Sequence, residues 1–416
     1  MFVAMPVKNR QPEPRYISIF VFLIIMFVLV QASQAAEKHK DEHMFLDSHL
    51  DTPLLVDFSA LDITKRYSWQ NDYVQVDLPR MKEGGLDGGF WVIYTPQGPL
   101  TQDGYARALK EARQRNAVID KMVRDAPDDF ALAVQGQDAR AIIAQGKRVV
   151  YKSIENAYPL GEDLSLLDEF YAAGVRMVGL VHTRNNQFSD SSTDSGGQKW
   201  GGLSPLGKEL IARANALGMV VDLSHAHDDA LEQAMALSKT PIILSHSGAS
   251  QLYTHPRNVP DRLLKQLAET GGVIQINSLS GYLRKLNVDR RRLPELIKIY
   301  SEYRAPDSAN GEVGAKHIAY TAKRRALDAK YPPQYADISD VLDHFFYTLE
   351  LMGPEHVGFG MDWDGGGGVA NLQDVSDLPK VLAAFRNRGL SEADIAKISG
   401  ENLIRLLAVA EKAARD

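Results

Sequence analysis

The chain has no cysteine. That absence excludes disulfides, thiolate metal sites and a lipid-bearing cysteine together, so any metal must be held by His and carboxylate side chains. An exported protein without disulfides also suits a bacterial periplasm better than a eukaryotic secretory route. Excess positive charge is lacking too: 47 Lys and Arg stand against 53 Asp and Glu, a net charge of −6 that gives nucleic acid no electrostatic footing. The one long apolar run, Ile17 to Val30, is shorter than the ~20 residues that comfortably span a bilayer. It follows Lys8, Arg10 and Arg15 and precedes Gln31-Ala-Ser-Gln-Ala35-Ala36, the layout of a secretory signal over residues 1–35, cut near Ala35. Membrane contact is then expected only through this segment, where it stays uncleaved. Lys8, Arg10, Glu13 and Arg15 carry a net +2, which leaves −8 beyond residue 35. The C-terminal Ala-Glu-Lys-Ala-Ala-Arg-Asp lacks the hydrophobic tail of a GPI signal.

What is present is apolar content of 44%, enough for a substantial core, and a length that an α/β barrel uses as one domain. Residues 36–416 are therefore read as a single domain. Nine apolar, β-branched-rich runs occur, at 44–48, 88–94, 130–134, 148–154, 175–181, 219–224, 241–245, 273–277 and 357–361. A closed (β/α)8 barrel needs eight, and 130–134 is set aside because it is short and ends on no metal-binding side chain. Helical patterns at 103–124, 261–269, 338–352, 376–388 and 401–412 lie between or after the runs, the alternation of βα units on a parallel sheet. After Ser204 the local signals are complete: Ser204 to cap, Pro205 at the first helical position, Leu206, Leu210, Ile211 and Ala214 on one face, and Gly218 to stop. Residues 283–336 break the rhythm with dense charge and no strand. A connection of that length serves as an active-site lid, a homodimer contact or a mobile link.

Five strand-ending fragments finish on metal-binding side chains: Asp-Ser-His49-Leu-Asp51, Lys-Ser-Ile-Glu155, Val-Asp-Leu-Ser-His225, Ile-Ile-Leu-Ser-His246 and Gly-Phe-Gly-Met-Asp362. In a parallel barrel the catalytic groups stand at the carboxyl ends of the strands, so the repetition marks one polar rim, a binuclear metal site. His49 and Asp51 are two apart and point to the same side of a strand, within reach of one cation. Glu155, a carboxylate with two oxygens, is suited to touch two cations.

Together with Leu180-Val181-His182, Arg257-Asn258-Val259-Pro260 and Asp362-x-Asp364-Gly365, these fragments resemble the membrane dipeptidase (renal dipeptidase-like) family of zinc peptidases, from about residue 44 to about 410. The resemblance implies two Zn2+ per chain, with His49 and Asp51 on one, His225 and His246 on the other, and Glu155 bridging. It implies hydroxide as the nucleophile, His182 stabilising the oxyanion, and Asp362 as acid and base. Arg257 matches the family residue that pairs with the substrate's C-terminal carboxylate. Asp364 lies in the same loop and the sequence alone does not exclude it from the acid-base role. His255, before a Pro, is read as solvent-facing, and Gly365 to Gly368 as a simple bend, since no Walker lysine accompanies it. After Glu155 the chain reads Asn156-Ala157-Tyr158-Pro159, where the animal enzymes carry a Gly-Gly-His stretch; preference near the substrate's amino end is therefore open.

The expected activity is hydrolysis of dipeptides to free amino acids, with tolerance of a D-residue on the C-terminal side as in the family. One competing reading is another binuclear amidohydrolase, acting on a lactone, cyclic amide or phosphoester, which would favour a carbamylated Lys at a central strand end. Here the strand ends in Glu155, and Lys152 falls on the opposite side of the pleat. The other is a non-catalytic periplasmic binding protein on a decayed barrel, but no ligand position is missing.

Overall fold

The computed structural model describes residues 43–59, 61–304 and 315–415. The segment 1–35, read above as a secretory signal, lies outside them. Among the described residues ten strands form, in chain order: β1 (Leu46–Leu50), β2 (Gly88–Tyr94), β3 (Phe130–Leu132), β4 (Arg148–Glu155), β5 (Val175–Gly179), β6 (Val220–Asp222), β7 (Ile243–Ala249), β8 (Asn258–Val259), β9 (Val273–Ile276) and β10 (Val357–Phe359). Eight run side by side in the order β1-β2-β4-β5-β6-β7-β9-β10, and every pairing is parallel. This is the expected (β/α)8 architecture. The run at 130–134 does become a strand, yet β3 pairs only with β4 and stands off the barrel path. The short β8, pairing with β7 beside Arg257, has no counterpart among the sequence runs because two residues carry no periodicity.

The seam between β10 and β1 is nearly closed, and side chains help to do it. Asp51 N donates to Trp363 O at 2.9 Å, Ser48 Oγ donates to Phe359 O at 3.1 Å, and Met361 N donates to Asp47 Oδ2 at 3.1 Å. The side chains of Asp47 and Ser48, buried in β1, and the backbone of Asp51 just beyond it thus do the joining that a ladder does elsewhere.

Helix boundaries follow their local chemistry. Ser204 Oγ accepts from Gly207 N, Pro205 opens the helix Pro205–Leu217, and Gly218 ends it at φ 77°. The helix Asn402–Ala413 buries Leu403, Leu406, Leu407 and Ala410 against Leu46, Phe90, Tyr151, Val220 and Val273, near the amino ends of the strands. That end is closed by apolar packing, which leaves the carboxyl ends for function. Of residues 283–336 the structure describes 283–304 and 315–336, which contain the helices Arg292–Arg304 and Ala315–Lys330 and no strand.

Candidate metal centre

At the carboxyl end of β4, Glu155 is buried with its two oxygens facing different imidazoles. Oε2 lies 3.6 Å from His49 Nε2, while Oε1 lies 3.1 Å from His225 Nε2, 3.4 Å from His246 Nε2 and 3.7 Å from His182 Nε2. Asp51 Oδ2 is 3.5 Å from His49 Nε2 on the first side. On the second side the Nε2 atoms of His225 and His246 converge to 2.8 Å. Among the described residues, three groups of buried or half-buried side chains have ligand atoms close enough to hold a metal ion: His49, Glu155 and His246; Glu155, His182 and His225; His49, Asp51 and Asp362.

The donor set fits a metal on physical grounds. His49 Nδ1 and Nε2, Asp51 Oδ1 and His225 Nδ1 are buried without hydrogen-bond partners among the described residues. Unsatisfied buried polar atoms at this density are costly unless another group meets them. On the second side the protonation states agree, whereas at His49 burial is outweighed by the charges of Glu155 and Asp51, which hold its pKa well above the ordinary imidazole value. Burial, reinforced by Arg257, holds His225 and, with His49 and Arg257, His246 well below the ordinary imidazole pKa, so both rings offer lone pairs. Burial would raise Glu155, but His182 and His49 outweigh it and keep its carboxyl well below the usual range.

Local structure aims these groups. Asp222 Oδ2 accepts from Ser245 Oγ at 2.6 Å, and that hydroxyl lies 2.9 Å from His246 Nδ1. Since the hydroxyl proton is directed at Asp222, Oγ accepts from Nδ1–H, which leaves the Nε2 lone pair facing Glu155. The Asp-Leu-Ser-His spacing displayed Asp222 all along, but nothing in the sequence joins it to Ser245. Backbone outliers gather here as well: Asn156, His225, Asp362 and Asp364 all have φ between 63° and 69°. Left-handed non-glycine residues cost of order 1 kcal/mol or more each and collect where a site requires them.

The remaining predicted residues separate clearly. His182, its side chain 20% exposed, packs at a tilt against His225 with ring centroids 4.2 Å apart and against Tyr94 at 4.9 Å. Its loop is fastened by Ser191 Oγ, which donates to His182 O at 2.6 Å. Asp362 is buried beside His49 and Asp51; burial first, then the charges of Asp51 and Glu155, push its carboxyl well above the usual range against the pull of His49 and Arg257. Asp364 is engaged at both oxygens, accepting from Thr52 Oγ1 and from Gln75 N, each at 2.7 Å, so it braces the loop. Gly365 does more than bend the chain: a Cβ there would stand 2.0 Å from Asp51 Oδ2 and 2.2 Å from Asp362 Oδ1. His255 is half-buried between Tyr253 and Tyr282 rather than solvent-facing, and its Nδ1 accepts from Arg257 N. Arg257 is buried, donates from Nη2 to His246 O at 2.8 Å, stacks on Tyr282 at 5.3 Å, and has no partner for its Nε among the described residues. Lys152 turns outward to Asn116 Oδ1, Asp120 Oδ1 and Ala173 O, far from any carbamylated-lysine role.

Above the cluster opens a cavity of about 740 Å³, whose walls include His182, His225, His246, Asp362, Tyr94 and Tyr282. Sequence reading had no signal for either tyrosine.

Comparison with known proteins places this arrangement. The family described as "Membrane dipeptidase (Peptidase family M19)" matches residues 33–416. The dipeptidase ataJ of Aspergillus terreus is 30% identical over 394 residues, covering 89% of this chain and 85% of the relative. Among solved structures, the probable dipeptidase PvdM from Pseudomonas aeruginosa is 31% identical with a TM-score of 0.75, covering 91% of this chain and 98% of that one. A metallo peptidase from Rhodobacter sphaeroides, liganded with a phosphinate mimic of the dipeptide L-Ala-D-Ala, is 25% identical with a TM-score of 0.70, covering 89% and 100%. With a family match across nearly the whole chain and a rim of His and carboxylate groups suited to metal, the protein belongs to the membrane dipeptidase family of metallopeptidases, peptidase family M19.

Proposed function

We propose that the protein is a two-zinc dipeptidase that begins near Ala36 after signal cleavage, forms a single metallopeptidase domain and works in the bacterial periplasm. The observation that carries the two-ion reading is the division of Glu155 between His49 on one oxygen and His225 with His246 on the other. His49 and Asp51 would hold one zinc, His225 and His246 the second, and Glu155 both. When bound, the ions supply a Lewis acid for the peptide carbonyl and lower the pKa of water toward neutrality. The substrate class is supported by the Rhodobacter relative, solved with a mimic of L-Ala-D-Ala; a D-residue on the C-terminal side is proposed for this chain also.

The chain's own groups then have separate tasks. His182, at the cavity wall with Nε2 3.7 Å from Glu155, is placed to donate to the oxygen that gains charge as the carbonyl is attacked. Asp362 takes a proton on its carboxylate from the attacking water and passes it to the departing amine, whose expulsion as a neutral molecule requires it. Arg257, its Nε without a partner among the described residues, meets the substrate's free carboxylate beside Tyr282. That contact fixes substrate length, because a carboxylate one residue further along would miss it.

The test is substrate length and end charge. Wild-type enzyme is expected to cleave dipeptides and to reject C-terminally amidated dipeptides and tripeptides. Arg257→Met should raise KM steeply for free dipeptides while scarcely altering the poor reaction with the amide, since truncating one partner of a buried hydrogen-bonded charge pair costs about 2–5 kcal/mol. Equal cleavage of acid and amide by the wild type would defeat both the role of Arg257 and the dipeptidase reading, and would favour a general amidohydrolase.

A further inference from the structure

The cavity floor is polar, but part of its wall is aliphatic and comes from the insertion. The helix Arg292–Arg304 carries two apolar stripes. Ile299 and Tyr303, four apart, pack into a cluster with Leu54, Tyr73, Val74 and Tyr320. Leu293 and Ile297, four apart, face the catalytic cavity instead, while Tyr300 stands between the two stripes, lining the cavity and packing against Tyr320. Leu293 is 62% exposed and Ile297 54% exposed, so neither contributes much to holding the helix in place.

Other contacts do that. Arg292 donates from Nη1 to Tyr331 O and from Nη2 to Asp328 Oδ1, each at 2.6 Å. Arg324 donates to the hydroxyls of Tyr320 at 2.8 Å and Tyr300 at 3.1 Å, and its guanidinium lies 4.4 Å from the Tyr73 ring centre. The aliphatic stripe is thus held over the site by neighbours and left for an occupant of the cavity to cover. An exposed Leu and Ile on one helix face, opening on a concave site, lose their contact with water only when an apolar group enters.

We propose that Leu293 and Ile297 form a specificity wall that selects dipeptides bearing a bulky apolar side chain. The proposal rests on the dipeptidase reading of the same site and names its substrate class. It also gives the insertion a task that its charge density concealed.

The experiment uses the full, metal-loaded protein with Leu-Leu and Gly-Gly as probes, comparing the wild type, the double variant Leu293→Ser with Ile297→Ser, and the conservative pair Leu293→Met with Ile297→Val. Wild type should favour Leu-Leu. In the serine variant the ratio of kcat/KM for Leu-Leu over Gly-Gly should fall by about tenfold or more, the scale at which an apolar pocket discriminates side chains. The fall should lie in KM, and the conservative pair should restore the ratio. An unchanged ratio overturns the proposal. So does an unchanged ratio with a smaller solution mass, which would make the stripe a contact between copies. A wild type that cleaves neither probe nor any other dipeptide overturns the dipeptidase reading as well, whereas dipeptide cleavage without the shift in ratio defeats only the wall.

Discussion

Replacing Glu155 by Gln is expected to lower bound metal from two ions per chain to one or none, and to reduce dipeptide hydrolysis by about 10³-fold or more. Glu155 divides its two oxygens between the halves of the cluster, reaching His49 through Oε2 and His225 and His246 through Oε1. An amide has the same shape but presents one oxygen and one NH2, so it can serve only one half as a donor. The charge also matters, because the anionic form is the one that the surrounding imidazoles favour. Loss of a Lewis acid removes several kcal/mol of transition-state stabilisation, and each 1.36 kcal/mol is tenfold in rate. The readouts are metal analysis of the purified variant and its kcat/KM. Two ions per chain with ordinary turnover would remove Glu155 from the centre.

Asp362→Asn should behave differently: metal retained, dipeptide bound, kcat reduced by about 10²–10⁴-fold, the usual contribution of a positioned acid-base group. Asp362 is buried, no hydrogen bond from the described residues occupies its side chain in the way Thr52 and Gln75 occupy Asp364, and its environment lets the carboxyl hold a proton. A substitution that removes only a transition-state contribution leaves KM nearly unchanged while kcat collapses. The proximity of Asp362 to His49 and Asp51 gives the contrary outcome a definite meaning. If the variant loses its metal, Asp362 is a ligand and the division of roles is wrong.

The barrel was readable from sequence because each of its strands is a buried run with turn signals on both sides, and because every strand that carries the site ends on a side chain costly to bury without a purpose. Of the residues brought together by the fold, His49, Asp51, Glu155, His225, His246 and Asp362 stood out for that reason, and His182 through the family resemblance. What the sequence could not show is whatever depends on partners distant in the chain. Asp222 and Ser245 are 23 residues apart and form a support for His246 only when β6 and β7 are side by side. Asp364 could not be told from Asp362 until Thr52 and Gln75, some 300 residues away, were seen to engage it. The absent side chain of Gly365 has meaning only beside the carboxylates of Asp51 and Asp362. In the insertion, the apolar positions 293, 297 and 300 were hidden among Arg and Lys, since two apolar stripes on one helix weaken a single-face pattern.

The most direct test of the central claim is anomalous scattering at the zinc absorption edge from crystals of the purified protein. Two peaks are predicted, one against His49 and Asp51, the other against His225 and His246, with a Glu155 oxygen turned to each. A single peak, or two peaks joined by Asp362 with Glu155 standing apart, would contradict it.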